Sequence, residues 1–190
     1  MAINKKALVI LAVVAIGYYV VNNKPKGPDA FDAAYQNAPT VEKDFVSIVK
    51  DAQDKAKSAE NDMQLGGIKA QRDALVCSVV QDKHVNEWIG KVDTMSSNSD
   101  GKGVVSISLS EDINVKTWNN DISDYGDHTL ITPGSELFET ASQLKEGDIV
   151  RFSGKFISDS QNCIRESSLG IRGKVTEPEY IFQFNSIAKI

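Results

Sequence analysis

The sequence is poor in the residues on which metal and nucleophile chemistry depend. It has two cysteines, Cys77 and Cys163, and two histidines, His84 and His128. A closed structural zinc site takes about four nitrogen or sulfur ligands. One could be assembled only by using all four of these residues, and neither pair has the spacing of a zinc knuckle. The chain has no Gly-x-Ser-x-Gly elbow, no Gly-x4-Gly-Lys-Ser/Thr phosphate loop and no His-Glu-x-x-His. These absences predict a protein that is not an enzyme and that carries no cofactor and no metal. His128 lies near Asp124 and Asp127, which could poise a base, but no nucleophile can be assigned to it and a solvated polar loop is the plainer reading. Glu111-Asp112 reads as a turn, because a calcium site needs more ligands at fixed offsets.

Basic charge is not in excess either. Residues 1–83 hold 11 Lys+Arg against 10 Asp+Glu, whereas residues 84–190 hold 10 against 16. A polyanion would approach the C-terminal part against an unfavourable field, which makes nucleic acid an unlikely partner.

Long apolar runs are absent except for one. Residues 7–21 (ALVILAVVAIGYYVV) are uninterrupted, with Lys5-Lys6 before them and Lys24-Pro25-Lys26 after. As a helix this run spans about 22 Å, short of the roughly 30 Å hydrocarbon core. Ile3, snorkelling lysines and the interfacial pair Tyr18-Tyr19 make up the difference. Pro25, Gly27 and Pro28 then stop the helix. The reading is a transmembrane signal anchor over residues 1–28; the alternatives are a cleaved secretory signal and a core helix. The lysine distribution favours a single-pass protein of the bacterial inner membrane with its C-terminal domain in the periplasm. Two thiols in an exported domain are usually oxidised. A Cys77–Cys163 disulfide would stabilise by roughly 4 kcal/mol through loop closure; two unrelated buried thiols are the alternative.

Residues 29–83 read as a helical stalk. A helix starting near Thr40 places Phe45, Val49, Ala52, Ala56, Ala59 and Met63 at steps of four and three, a two-heptad seam. The seam is mostly alanine, so it suits either a surface helix on its own domain or a partner-binding or self-associating helix over residues 40–65. Gly66-Gly67 predicts a break, with a second helix from Ile68 to about Val80 that docks its hydrophobic C-terminal half on the domain.

After His84 the period becomes two. Strands are expected over 88–95, 104–109 and 113–118, a helix after the N-cap Thr132 and Pro133, and further strands over 149–156 and 180–184. Three strands, a helix and two strands is the element order of an OB fold, a small Greek-key barrel. The segment Leu144-Lys145-Glu146-Gly147-Asp148-Ile149-Val150-Arg151-Phe152-Ser153-Gly154-Lys155, with its leucine, Gly-Asp, apolar alternation and glycine, resembles the entry to strand four of bacterial OB modules, including the tRNA-anticodon-binding-like group. The fold class expected is therefore α+β: a transmembrane helix, a helical stalk, and over residues 84–190 a five-stranded OB-like barrel with a helix between strands three and four.

The resemblance implies binding across strands two and three and between the loops 96–103 and 158–179. The candidate ligand-contacting residues there are Lys116, Trp118, Arg165, Arg172 and Lys174. Trp88 reads as core. The expected function is a non-catalytic, membrane-anchored envelope protein engaging a protein or a small envelope ligand. The alternative is a membrane-tethered module for single-stranded nucleic acid, which would need aromatic platforms beside basic residues.

Overall fold

A computed structural model describes residues 29–190. Five strands close a barrel in the order β1–β2–β3–β7–β4: β1 (His84–Ser97), β2 (Gly103–Ser110), β3 (Ile113–Lys116), β4 (Ile149–Phe156) and β7 (Glu179–Lys189). All neighbours are antiparallel except β3 and β7, which run parallel, and β1 closes the barrel on β4. This mixed barrel is compatible with an OB-like fold. Closure removes the free edges that β1 and β4 would otherwise present.

Side-chain alternation fills the barrel. Val105, Ile107 and Leu109 of β2 point inward with Val150, Phe152 and Phe156 of β4. The side lined by β1, β4 and β7 is aromatic: Trp88, Phe152, Phe156, Tyr180, Phe182 and Phe184 pack mostly edge-to-face, with ring centroids 4.9–6.4 Å apart. Gly154 lets β7 approach. A Cβ there would overlap the Gln183 carbonyl oxygen and the Phe182 ring. Gly154→Ala is therefore expected to destabilise by about 2 kcal/mol through forced strand separation, read as a lower urea midpoint at unchanged slope.

The helices correct the expected architecture. The transmembrane helix expected over 7–21 lies outside the described residues, and among the described residues no helix is long and apolar enough to cross a membrane. The longest, α3 (Asp62–Val79), carries Lys69, Arg72 and Asp73 in its middle. The expected stalk is not a stalk. It comprises α1 (Ala30–Tyr35), α2 (Thr40–Ala56) and α3, and α2 and α3 belong to the barrel's own core. Phe45, Val46 and Val49 of α2 enter the same apolar cluster as the barrel aromatics, together with Val76 and Val80 at the end of α3. Phe45 lies 5.2–5.3 Å from the rings of Trp88, Phe156 and Tyr180 and closes the mouth of the barrel.

The boundary between α2 and α3 also moves. Thr40 begins α2 behind an N-cap at Pro39, and the break falls after Ala56 rather than at Gly66-Gly67. Asn61 caps α3 through Gln64 N (3.1 Å), while the Gln64 side chain accepts from Glu60 N (2.7 Å). This cap, together with the burial of Leu65 and Val76, outweighs the roughly 1 kcal/mol that each glycine costs inside a helix. Met63, expected on the buried seam, is consequently exposed.

Between β3 and β4 the helix α4 (Glu136–Ala141) starts at the N-cap Ser135, not Thr132, because Gly134 at φ +79° turns the chain first. The excursion before β7 folds into a two-stranded hairpin, β5 (Ser158–Asp159) with β6 (Cys163–Ile164), followed by α5 (Ile171–Thr176). α5 packs on α2 and α3.

Candidate functional site

Three loops meet at one rim of the barrel: 98–102 after β1, 119–131 after β3, and the segment after β6. The middle loop joins them through three aspartates spaced three residues apart. Asp121 pairs with Lys102 and accepts from Asn98 Nδ2 (2.7 Å), tying in the first loop. The Lys102 ammonium holds the Asp121 carboxyl below the usual range, and Asp121 in turn raises the Lys102 ammonium. Asp124 is buried and accepts from Thr129 N (2.6 Å), Thr129 Oγ1 (2.7 Å) and Leu130 N (3.2 Å), so it braces the loop on itself. Asp127 accepts from Trp118 Nε1 (2.8 Å) and, with both oxygens, from Arg165 Nη1 (2.8 and 2.6 Å), which ties in the third loop. Gln183 Nε2 donates to the His128 carbonyl (2.6 Å) and anchors the loop on β7.

Each carboxylate thus has a partner, and the loop is built rather than loose. Beside the exposed polar residues Asn119, Asn120 and His128 it presents two large apolar side chains to solvent. Ile122 is 90 % and Tyr125 91 % exposed, alternating with the three bracing aspartates. A loop fixed by internal hydrogen bonds that displays two large apolar side chains has already lost much of the conformational entropy that binding would otherwise remove.

The residues expected to contact a ligand are distributed differently. Trp118 and Arg165 are brought together, but through Asp127, which uses the indole N–H and neutralises the guanidinium. Lys116 is paired with Glu179 at 3.1 Å. Arg172 is exposed on α5, and the Lys174 carbonyl accepts from the Arg72 guanidinium. The basic cluster read from 165–174 is therefore divided, with Arg165 turned to the rim and Arg172 and Lys174 on the helix against α2 and α3.

The outer face of β1–β2–β3 is polar and small. Lys91 faces Ser108 across β1–β2, and Ser108 and Ser106 face Asn114 and Lys116 across β2–β3. A groove of about 370 Å³ crosses this face, walled by Phe31 and Asp32 of α1 and lined by Lys91, Asp93, Ser108 and Asn114. β2 and β3 carry no aromatic residue, and the barrel aromatics Trp88, Phe152, Phe156, Tyr180 and Phe182 are all buried, so these strands offer no rings on which bases could stack.

The Gly-Asp motif before β4 is accounted for by barrel closure. Gly147 takes φ +88° and donates from its N–H to the Val92 carbonyl (2.8 Å). Val92 N donates to the Asp148 carbonyl (2.8 Å), and the Asp148 carboxylate accepts from Lys145 N (3.0 Å) and Lys189 Nζ (2.6 Å). Lys189 thereby holds that carboxyl below its ordinary range. The motif ties β1 and β7 to β4.

Cys77 and Cys163 are bonded to each other across 86 positions, with Cα atoms 5.8 Å apart, which removes both thiols from any metal site. Among the described residues no group of three or more His, Cys, Asp and Glu side chains is placed to hold a metal ion. The bracing role of these aspartates has no local signature in the sequence. Asp121-Ile122-Ser123-Asp124-Tyr125-Gly126-Asp127 looks like solvated loop, and only the partners at Lys102, Thr129 and Arg165 show its order. Compared with protein-family models, curated proteins and solved structures, the chain matches none, so the reading of this rim rests on its own geometry.

Proposed function

We propose that this chain is a non-catalytic binding module of the cell envelope that engages a protein partner through the rim loop 119–131. The observation that carries the reading is the exposure of Ile122 and Tyr125 on a loop whose carboxylates are all partnered. Such a surface offers a partner apolar area with little uncompensated charge. Aromatic side chains such as Tyr125 are enriched at the energetic centres of protein interfaces.

A nucleic-acid ligand finds less support. The basic side chains Lys116 and Arg165 are paired with carboxylates, and the strands that would carry stacking rings carry serine and asparagine. The likeness of residues 144–155 to anticodon-binding-like modules reflects the turn and the strand that close the barrel. The disulfide supports an oxidising, periplasm-like compartment. Self-association through residues 40–65 has less to work with, because Phe45, Val49, Ala52 and Ala56 are already buried in this molecule.

A photo-crosslinking side chain at position 125, introduced into the full chain in its native cells, tests the proposal. The expected result is a discrete protein adduct that Ile122→Ser abolishes, while the thermal midpoint of that variant stays near wild type, because surface substitutions cost about 0.5 kcal/mol or less. An adduct indifferent to Ile122, or crosslinks to lipid alone, would overturn it. Binding of a single-stranded oligonucleotide that collapses with added salt would instead favour the nucleic-acid reading.

A further inference from the structure

The Cys77–Cys163 bond spans a cleft of about 530 Å³ between α3 and the β5–β6 hairpin. Both cysteines are half-buried and line that cleft with Lys69, Asp73 and Asn162. Apart from the disulfide, little holds the hairpin tip to the body. Asp159 bonds within the hairpin, to Gln161 N (2.8 Å) and Asn162 N (2.9 Å). Its ion pair to Arg165 is long, at 3.9 Å. A single hydrogen bond, Lys69 Nζ to Asn162 Oδ1 (3.1 Å), crosses to α3. One such bond is weak against the backbone entropy of the six residues 158–163. Cys163 itself sits at φ +66°, a left-handed conformation that side-chain-bearing residues avoid.

Behind the hairpin lies a cluster of buried charge. Arg72 pairs with Asp73 and Glu166 (both 2.6 Å) and lies 5.6 Å over the Tyr180 ring, and Lys69 reaches Asp73 and Glu166. Glu166 Oε2, although 3.1 Å from Lys69 Nζ, has no hydrogen bond, and neither has the Tyr180 hydroxyl. Desolvation offsets most of what buried ion pairs contribute, and admitting water would satisfy both orphaned oxygens. The cluster therefore adds little to holding the hairpin against α3, which leaves the covalent bond as the main tie across the cleft. The hairpin's two ends, by contrast, are pinned to the barrel. Ile157 N donates to Ile181 O (3.0 Å), Ile181 N to Arg165 O (2.8 Å), and Ile164 is buried.

We propose that the Cys77–Cys163 disulfide is a redox latch whose reduction by a dithiol frees the segment 158–163 and opens the buried Lys69–Arg72–Asp73–Glu166 cluster to solvent, while the barrel stays folded. In the opening step a thiolate of the dithiol attacks Cys77 Sγ and the S–S bond breaks. Cys163 leaves as thiolate and takes a proton from water. Cys77 lies in the last turn of α3, where the negative helix end disfavours a thiolate, so Cys163 is the better leaving group. The second thiol of the reagent then attacks the mixed disulfide and releases Cys77. Two electrons pass to the protein, and the reagent ends as its cyclic disulfide.

Hydrogen exchange read by mass spectrometry on the full chain, native and without denaturant, before and after treatment with dithiothreitol, tests the latch. Peptides covering 158–163 are expected to exchange at least about tenfold faster after reduction, while those of β4 and β7 change little. The double variant Cys77→Ser/Cys163→Ser should reproduce the same local pattern in the absence of reductant. Acceleration spread evenly over hairpin and barrel would overturn the latch and leave the bond a general stabiliser. Unchanged exchange at 158–163, or a bond that dithiothreitol reduces only in denaturant, would overturn it as well.

Discussion

Replacing Phe45 by alanine is expected to lower the unfolding free energy by about 4 kcal/mol, the upper part of the range for a fully buried phenylalanine. Phe45 has no exposed surface, and through it α2 joins the barrel's aromatic cluster. Its neighbours Trp88, Phe156 and Tyr180 come from three different strands, so no single side chain can move to refill the space. The lost term is therefore transfer free energy plus a cavity that the barrel cannot collapse. The same variant shows whether helix and barrel form one cooperative unit. Far-ultraviolet ellipticity, which reports α2 and α3, and near-ultraviolet ellipticity, which reports the aromatic cluster, should fall together in urea in wild type and variant alike. A Phe45→Ala protein that keeps its urea midpoint, or helices that melt separately from the aromatic signal, would show that α2 is not part of the barrel core.

The second large effect concerns pH. Glu42, in the first turn of α2, is fully buried; its Oε2 accepts from Ile89 N at 2.9 Å, while Oε1 has no partner. Burial pushes its carboxyl from the model-compound value of 4.5 up to about 8, against the opposing pull of the Ile89 N–H and Lys43. The hydroxyl of Tyr35 is pushed up to about 12, by its own burial and then by Glu42. A carboxyl whose folded pKa lies above its unfolded value favours the folded state most when protonated. Its contribution is fully present below about pH 4.5 and is lost as pH rises through about 8. The expected loss between pH 5 and 8 is on the order of 3 kcal/mol, at about 1.4 kcal/mol per pH unit.

Glu42→Gln keeps an oxygen for Ile89 N and removes the titration. At pH 5 its stability should match wild type to within about 1 kcal/mol, and at pH 8 it should exceed wild type. Urea unfolding of both proteins across this range checks the sign, and parallel profiles would refute the assignment. Asp121, Asp148 and Asp159 are held below their ordinary values and act in the opposite sense. Their contributions fade as pH falls through the acid range, below the window in which Glu42 titrates.

The structural identity of Glu42 was not legible in the sequence. Thr-Val-Glu at a helix start reads as an acidic residue placed to suit the helix dipole. Its partner Ile89 is 47 positions away, on a strand that the bulge between Val85 and Trp88 re-aims. That bulge, with Glu87 at φ +60°, also buries Ile89 and Trp88 side by side, where simple alternation puts them on opposite faces.

The three-dimensional meaning of the 40–56 seam was equally hidden. Phe45, Val49, Ala52 and Ala56 form one stripe whether the stripe meets a second chain or its own barrel. Periodicity records which face is apolar and not what covers it. The fate of Gly66-Gly67 turned on the same limit, because a local helix penalty of about 1 kcal/mol per glycine is smaller than a good cap together with tertiary packing.

A closed barrel was what the resemblance to OB modules implied; what the amino-acid order determined by itself was its five strands in sequence, the helix between the third and fourth, and the burial of Trp88. These follow from period-two alternation and turn residues, which act between near neighbours. Tertiary structure alone decided that α2 and α3 complete the barrel core, that Lys116 and Arg165 are held by carboxylates, and that Asp121, Asp124 and Asp127 brace a loop displaying Ile122 and Tyr125. Each of these depends on which distant side chain supplies a partner or excludes water. Such pairings arise only when the closed barrel brings its loops and helices together.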